Sequence, residues 1–154
     1  LKLFAYEDRK KFSLTVVGDL SLKSNLSNLG IETVSYKSLS RYNILNLMRF
    51  AHVFVMPSRF ESYGFVYVEA LASGCVVIAP NWESQVDILD SSKCGLNVHP
   101  SPQSVNEALG FCLDNRFRSA LALTGLEKYN EEFSPDVVAR RHFDVFDAAY
   151  CSKT

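Results

Sequence analysis

The sequence predicts an α/β fold, a doubly wound parallel sheet with extra C-terminal helices, and three observations carry that expectation. First, the runs Val53 to Met56 and Cys75 to Ala79 are apolar on both faces and are closed by Pro57 and Pro80, as strands buried from two sides should be. Second, a polar loop with Gly64 and an apolar segment, Val66 to Ser73, lie between them; strand, loop, helix and strand of this size form a βαβ unit with a right-handed crossover. Third, strand and helix patterns alternate along the chain, β-α-β-α-β-α-β-α-β, before it turns all-helical.

Each element has its own local reason. Leu1 to Lys11 sets Leu3, Phe4 and Tyr6 against Glu7, Asp8, Arg9 and Lys10 and reads as the tail of an amphipathic helix whose preceding strand is absent. The sequence begins at Leu1 rather than Met, which suggests a piece of a longer protein. Ser13 to Val17 is a strand ending at Gly18-Asp19, and Leu20 to Leu29 carries Leu22, Leu26 and Leu29 at helical spacing until Gly30 closes it. Ile31 to Tyr36 is the next strand. Ser40 caps a helix bearing Ile44, Leu45, Leu47, Met48 and Phe50, which leads into the strand at Val53. After Ala79, Asn81 to Leu89 gives a loop and a short helix, and Cys94 to Val98 a short final strand closed by His99-Pro100. Helices then cover Ser104 to Leu113, Arg116 to Tyr129 and Pro135 to Tyr150, the last with Pro at its first position. These three are expected to wrap the sheet edge.

Composition narrows the function. The 154 residues suffice for one domain with a full core, and there is no internal repeat, low-complexity tract or linker. A net charge of −1 with no basic run gives no field to recruit nucleic acid or an acidic membrane. The longest apolar runs are too short to span a bilayer, and no signal peptide is visible. Cys75, Cys94, Cys112 and Cys151 are widely spaced, which reads as reduced thiols in a cytosolic protein. His52, His99 and His142 are equally scattered and suggest no metal site.

Chemistry concentrates between the two central strands. Glu61 sits in the loop and Glu69 about one turn into the helix, with seven residues between them. Val66, Val68, Ala70, Leu71 and Ala72 surround Glu69, so its carboxylate is costly to desolvate unless something hydrogen-bonds to it. The helix start just past Gly64 offers free backbone N–H groups and the positive end of a dipole, a ready anion site. A carboxylate on each side suits a ligand with both phosphate and hydroxyls, such as a sugar nucleotide. Taken alone, Glu61 is equally an acid favoured near a helix N-terminus, and Gly64 equally a turn residue with positive φ. In a doubly wound sheet, ligands lie at the carboxyl ends of the strands. Three loops should therefore converge: Gly18-Asp19, Tyr36 to Leu39, and Pro57 to Phe65.

The stretch PSRFESYGFVYVEALASGCVVIAP, residues 57–80, resembles the signature of retaining glycosyltransferases of the GT-B fold, the group 1 or family-4 class. The shared features are Pro-Ser, Glu-x7-Glu with aromatic-Gly between the glutamates, then Glu-Ala-hydrophobic-Ala-x-Gly and a hydrophobic strand. The resemblance covers nearly the whole chain and implies the Rossmann-like C-terminal half of such an enzyme, residues 1–154 being a nucleotide-sugar donor domain without its acceptor domain. It implies that Glu61 contacts hydroxyls of the transferred sugar near the reacting carbon. Amides around Gly64, Phe65 and Val66 would hold the diphosphate, Ser62 and Tyr63 would also belong to the donor-binding loop, and Glu69 would accept from the ribose hydroxyls. Leu14 to Asp19 resembles the strand and loop that contribute Gly18 and Asp19, with Leu20 in place of a second glycine. The loop with Lys37, Ser38 and Leu39 resembles the one that holds the nucleobase, with Ser38 where a glycine is common. His52 stands where the family often has Asp and is expected to be structural, and Arg59 is expected in solvent or in a structural ion pair. Glu83-Ser84 replaces a frequent Gly-Gly, with Asp87 near the position of a following Glu.

The resemblance further implies a hexosyltransferase that is metal-independent, has no cofactor beyond a UDP- or GDP-sugar co-substrate, and retains anomeric configuration. The acceptor, a sugar, lipid or polysaccharide, would be bound through the missing N-terminal domain. That missing half would also hold the Arg and Lys of the diphosphate clamp and any membrane contact, so the fragment alone should be nearly inactive. The location implied is cytoplasmic, peripheral to the membrane at most. The alternatives are a GT-B nucleotide-sugar epimerase, which does not usually carry this Glu-x7-Glu loop, and a non-catalytic, degenerate transferase domain.

Overall fold

A computed structural model of the chain describes residues 11–18 and 31–151. Asp19, the helix tail over 1–10 and the helix expected over 20–29 lie outside the described residues. Among the described residues there are five strands, all in parallel pairs, with a helix between successive strands from β2 onward as expected: β1 (Ser13–Val17), β2 (Glu32–Tyr36), α1 (Arg41–Phe50), β3 (Val53–Val55), α2 (Phe65–Ala72), β4 (Val76–Pro80), α3 (Glu83–Ile88), β5 (Leu96–Val98), α4 (Pro102–Phe111), α5 (Asn115–Lys128), a π-helical turn (Tyr129–Phe133) and α6 (Pro135–Cys151).

Caps set the boundaries. Ser40 accepts from the Asn43 N–H at 3.3 Å, as expected for the cap of α1. Two helices start earlier than their apolar spacing suggests, because Ser101 caps α4 ahead of Pro102 and the Asp114 carboxylate accepts from the Arg116 and Phe117 N–H groups.

β4 is the centre. It is buried along its whole length and pairs on both sides, in the order β3-β4-β5. Its period of two sorts the core. Cys75, Val77 and Ala79 face a cluster with Met48, Tyr67, Leu71, Ile88 and Leu89, whereas Val76 and Ile78 face Val98, Ala108, Leu109, Cys112 and Leu121. Helices thus cover both faces of this sheet, α1 to α3 on one and α4 with α5 on the other. Gly125 lets α5 pass close to α2: a Cβ there would lie 2.8 Å from the Leu71 Cδ2 and 3.0 Å from the Cys94 carbonyl.

Two details differ from expectation. Among the described residues the strands form two ladders, since β1 and β2 pair with each other and not with β3. Both alternate exposed and half-buried positions, a pattern unlike the doubly covered β4. Among the described residues the last helix does not wrap the sheet. The chain is extended at Ser134, which breaks the run after the π turn, and α6 has no buried residue, its main contacts being to that turn. Phe143, Phe146 and Tyr150 remain exposed on it.

Cys75, Cys94 and Cys112 are free and buried, and Cys151 is exposed. Cys75, immediately before the central strand, is a small apolar group whose Sγ donates to the Met48 carbonyl at 3.0 Å, and burial pushes its thiol up to about 11. No helix of the described residues is long and apolar enough to cross a membrane. Nor do the described residues contain a group of three or more His, Cys, Asp and Glu able to hold a metal.

Candidate functional site

The site is built on the segment between β3 and α2. β3 ends at Val55, and the Met56 N–H still bonds the Ile78 carbonyl at 3.1 Å, so the chain leaves the sheet there in register. From Pro57 onward it forms a loop held by its own carbonyls. Tyr67 Oη donates to the Met56 carbonyl at 2.8 Å, and Trp82 Nε1 to the Ser58 carbonyl at 2.9 Å. Ser84 Oγ donates to the Ser62 carbonyl at 3.1 Å, and Gln85 Nε2 to the Tyr63 carbonyl at 3.1 Å. Three of these four donors stand at the start of α3. Ser84, where the resemblance implies a glycine turn, supplies one of these anchors.

Gly64 is where the loop becomes a helix. It caps α2 in the left-handed region, φ 79° and ψ 59°, with no side-chain cap. The Tyr67 ring lies directly beneath: a Cβ on Gly64 would stand 2.5 Å from Tyr67 Cδ2 and Cε2 and 3.0 Å from Glu61 Cγ. Only glycine satisfies both the backbone angle and this contact. Tyr67 itself is fully buried, and burial, with a smaller contribution from the Glu61 charge, raises its hydroxyl to about 12. The Phe65 and Val66 N–H groups have no acceptor among the described residues, so α2 presents open amides and the positive end of its dipole.

The two glutamates flank this helix start. Glu61, half-buried, lines an open cleft of about 470 Å³ together with Arg59, Phe60, Ser62 and Trp82. The partner that the Glu69 carboxylate demands on its apolar helix is Arg41, whose Nε donates to Oε1 at 2.8 Å and whose Nη2 forms an ion pair with the same oxygen at 2.6 Å. Arg41 is the first residue of α1, immediately after the loop with Lys37, Ser38 and Leu39, of which Lys37 and Ser38 are exposed. The ion pair thus ties that loop to the helix carrying Glu69. Gly18, φ 124°, sits at the carboxyl end of β1 with its N–H on the Tyr36 carbonyl at 2.8 Å. The Tyr63 and Phe65 rings meet at a tilt of 53° with centroids 5.2 Å apart. Arg59 is exposed, and so is the side chain of His52, whose carbonyl accepts from Val76 N–H.

Sequence reasoning missed Arg41, Trp82 and Gln85. One signal was available: Gln85 precedes Ile88 and Leu89 by three and four positions, which puts it on the core side of a short helix. A fully buried polar side chain needs partners there. Gln85 Nε2 finds Tyr63 and Ser84, while its Oε1 has no partner among the described residues. Asn97 backs the arrangement, donating to the Pro80 and Gln85 carbonyls at 3.3 Å and 3.1 Å.

Residues 1–128 match the family model described as "Glycosyl transferases group 1". The chain is 25% identical over 132 residues to the alpha-1,3/1,6-mannosyltransferase of Homo sapiens, covering 85% of this chain and 32% of the relative. Among solved structures, sucrose-phosphate synthase from Thermosynechococcus elongatus superposes with a TM-score of 0.76 at 19% identity, over 91% of this chain and 39% of that one. The C-terminal domain of a glycosyl transferase group 1 family protein from Francisella tularensis gives a TM-score of 0.66 at 24% identity, over 76% of this chain and 65% of that one. The structural matches establish the fold, that of GT-B glycosyltransferases. The chain spans about a third of the length of the curated relatives it matches.

Proposed function

The chain belongs to the group 1 glycosyl transferases, and from that premise we propose that it is the donor-binding part of a retaining, metal-independent enzyme. It would take a sugar from a UDP- or GDP-sugar and transfer it to a glycan, lipid or small-molecule acceptor. The observation that carries this reading is the start of α2. A left-handed Gly64 leaves the Phe65 and Val66 amides open, with Glu61 on the adjoining cleft and Glu69 on the same short helix.

The roles follow from charge. Amides near Gly64 face the diphosphate, where a helix N-terminus favours anions. Glu61 accepts from hydroxyls of the transferred sugar, and Glu69 from the ribose. The loop with Lys37, Ser38 and Leu39 is assigned to the nucleobase, and Gly18, Asp19, Ser62 and Tyr63 to further contacts with the donor. As the bond from the anomeric carbon to the diphosphate breaks, the acceptor hydroxyl oxygen bonds that carbon on the same face. Its proton passes to the departing phosphate oxygen, so configuration is retained and no side chain serves as nucleophile. The likeness to a mannosyltransferase supports a hexosyl donor. Acceptor binding, the cationic clamp on the diphosphate and any membrane contact are assigned to segments outside this chain.

Isothermal titration of the full-length protein with UDP, GDP and their sugars tests the reading. Glu69→Ala should weaken nucleotide binding at least ~10-fold, the loss expected for hydrogen bonds to a charged acceptor. Undiminished affinity in that variant rules out the ribose role.

A further inference from the structure

We propose that Arg41 is a positioning residue for the Glu69 carboxylate, and that through it the protein discriminates ribose from deoxyribose in its nucleotide. This rests on the ribose role of Glu69 and adds the group that makes the role specific. Both Arg41 nitrogens converge on one oxygen, Nε at 2.8 Å and Nη2 at 2.6 Å from Oε1. The second oxygen, Oε2, has no partner among the described residues. One half of the carboxylate is therefore fixed by a planar, multi-donor cation, and the other half is left as an oriented acceptor.

The pair is poorly placed to act for stability. The Arg41 side chain is 78% exposed and that of Glu69 22%, a setting in which ion pairs contribute little to folding. It is well placed for positioning. Arg41 opens α1 directly after the Lys37 to Ser40 loop, and Glu69 lies 28 positions further on in α2. The contact joins the loop assigned to the base with the side chain assigned to the sugar next to it. Without Arg41, Glu69 regains its rotamers on a helix whose neighbours Val66, Val68, Ala70 and Leu71 offer no hydrogen-bond donor side chain. Its free oxygen would then have to be ordered by the ligand at the ligand's expense.

The test is a cycle between side chain and ligand, run on the full-length protein. UDP and 2′,3′-dideoxy-UDP are titrated into wild type, Arg41→Gln, Arg41→Lys and Glu69→Gln, with GDP and its dideoxy analogue as a second pair. Wild type should prefer the ribonucleotide by about 10-fold or more. Arg41→Gln should lose about 5- to 10-fold on the ribonucleotide and nothing on the dideoxy form, and Arg41→Lys should recover part of the preference. Equal weakening of both nucleotides, as from a direct phosphate contact, overturns the proposal. So does unchanged or tighter ribonucleotide binding, as from a competing ion pair. If Glu69→Gln abolishes the preference while Arg41→Gln keeps it, the Arg41 role alone fails. If wild type shows no preference, the ribose assignment fails and Arg41 with it.

Discussion

Replacing Gly64 with alanine should unseat the loop that carries Glu61, and the size of the effect can be worked from two separate costs. The backbone angle of φ 79° lies where a side chain costs about 1–2 kcal/mol. The added Cβ would also stand 2.5 Å from two carbons of Tyr67. That ring cannot give way easily: it is fully buried, its hydroxyl bonds Met56, and it meets Phe54 edge-on at 6.1 Å. Overpacking of this kind costs about 1–3 kcal/mol more. Gly74 supplies the control, because it has nearly the same angle, φ 76°, and nothing within 4 Å of its would-be Cβ. Gly74→Ala should therefore show the backbone cost alone, and Gly64→Ala about 1–3 kcal/mol beyond it. Denaturant titration measures both, and at this chain length each kcal/mol should lower Tm by about 2–4 °C. Equal destabilisation of the two variants would refute the claim that Tyr67 pins the loop against Gly64.

Gln85→Ala should remove the donor to the Tyr63 carbonyl and destabilise the protein by about 2 kcal/mol. Hydrogen exchange should quicken at loop residues 59–65, and unaltered exchange there would mean that the remaining anchors suffice. Burial raises the Cys75 and Cys112 thiols from 9.0 to about 11. A group whose folded pKa is raised contributes its full stability below the unfolded value and loses it as pH climbs through the folded one. Stability should therefore fall between about pH 9 and 11, by on the order of 3 kcal/mol for each thiol. Urea midpoints across that range would measure it, and Cys75→Ala should flatten part of the fall. At pH 8 a thiol reagent should modify exposed Cys151 well before the three buried thiols, Cys75, Cys94 and Cys112; simultaneous reaction would show that the core opens readily.

Much of this architecture was legible in the chain because it is local. Strand runs bounded by Pro57 and Pro80, the Ser40 cap and the Pro135 helix start each depend on a few neighbouring residues. The family signature between Pro57 and Pro80 is likewise contiguous and lies within residues 1–128, which match the family model. Spacing also marked Glu69 as a carboxylate in need of a partner. It could not say which residue would answer, since a helix pattern records what is beside a residue in sequence and not what folds against it.

The sequence by itself determined the order of elements, the apolar faces of the central strand and the glycine needed at the start of α2, because backbone preference and periodicity act within a few residues. Only the tertiary structure decided that Arg41 reaches Glu69 across 28 positions and that Gln85 holds Tyr63 across 22. It alone left α6 uncovered among the described residues. Those outcomes depend on how crossovers stack α1, α2 and α3 on one face of the sheet, and that packing is a property of the whole chain.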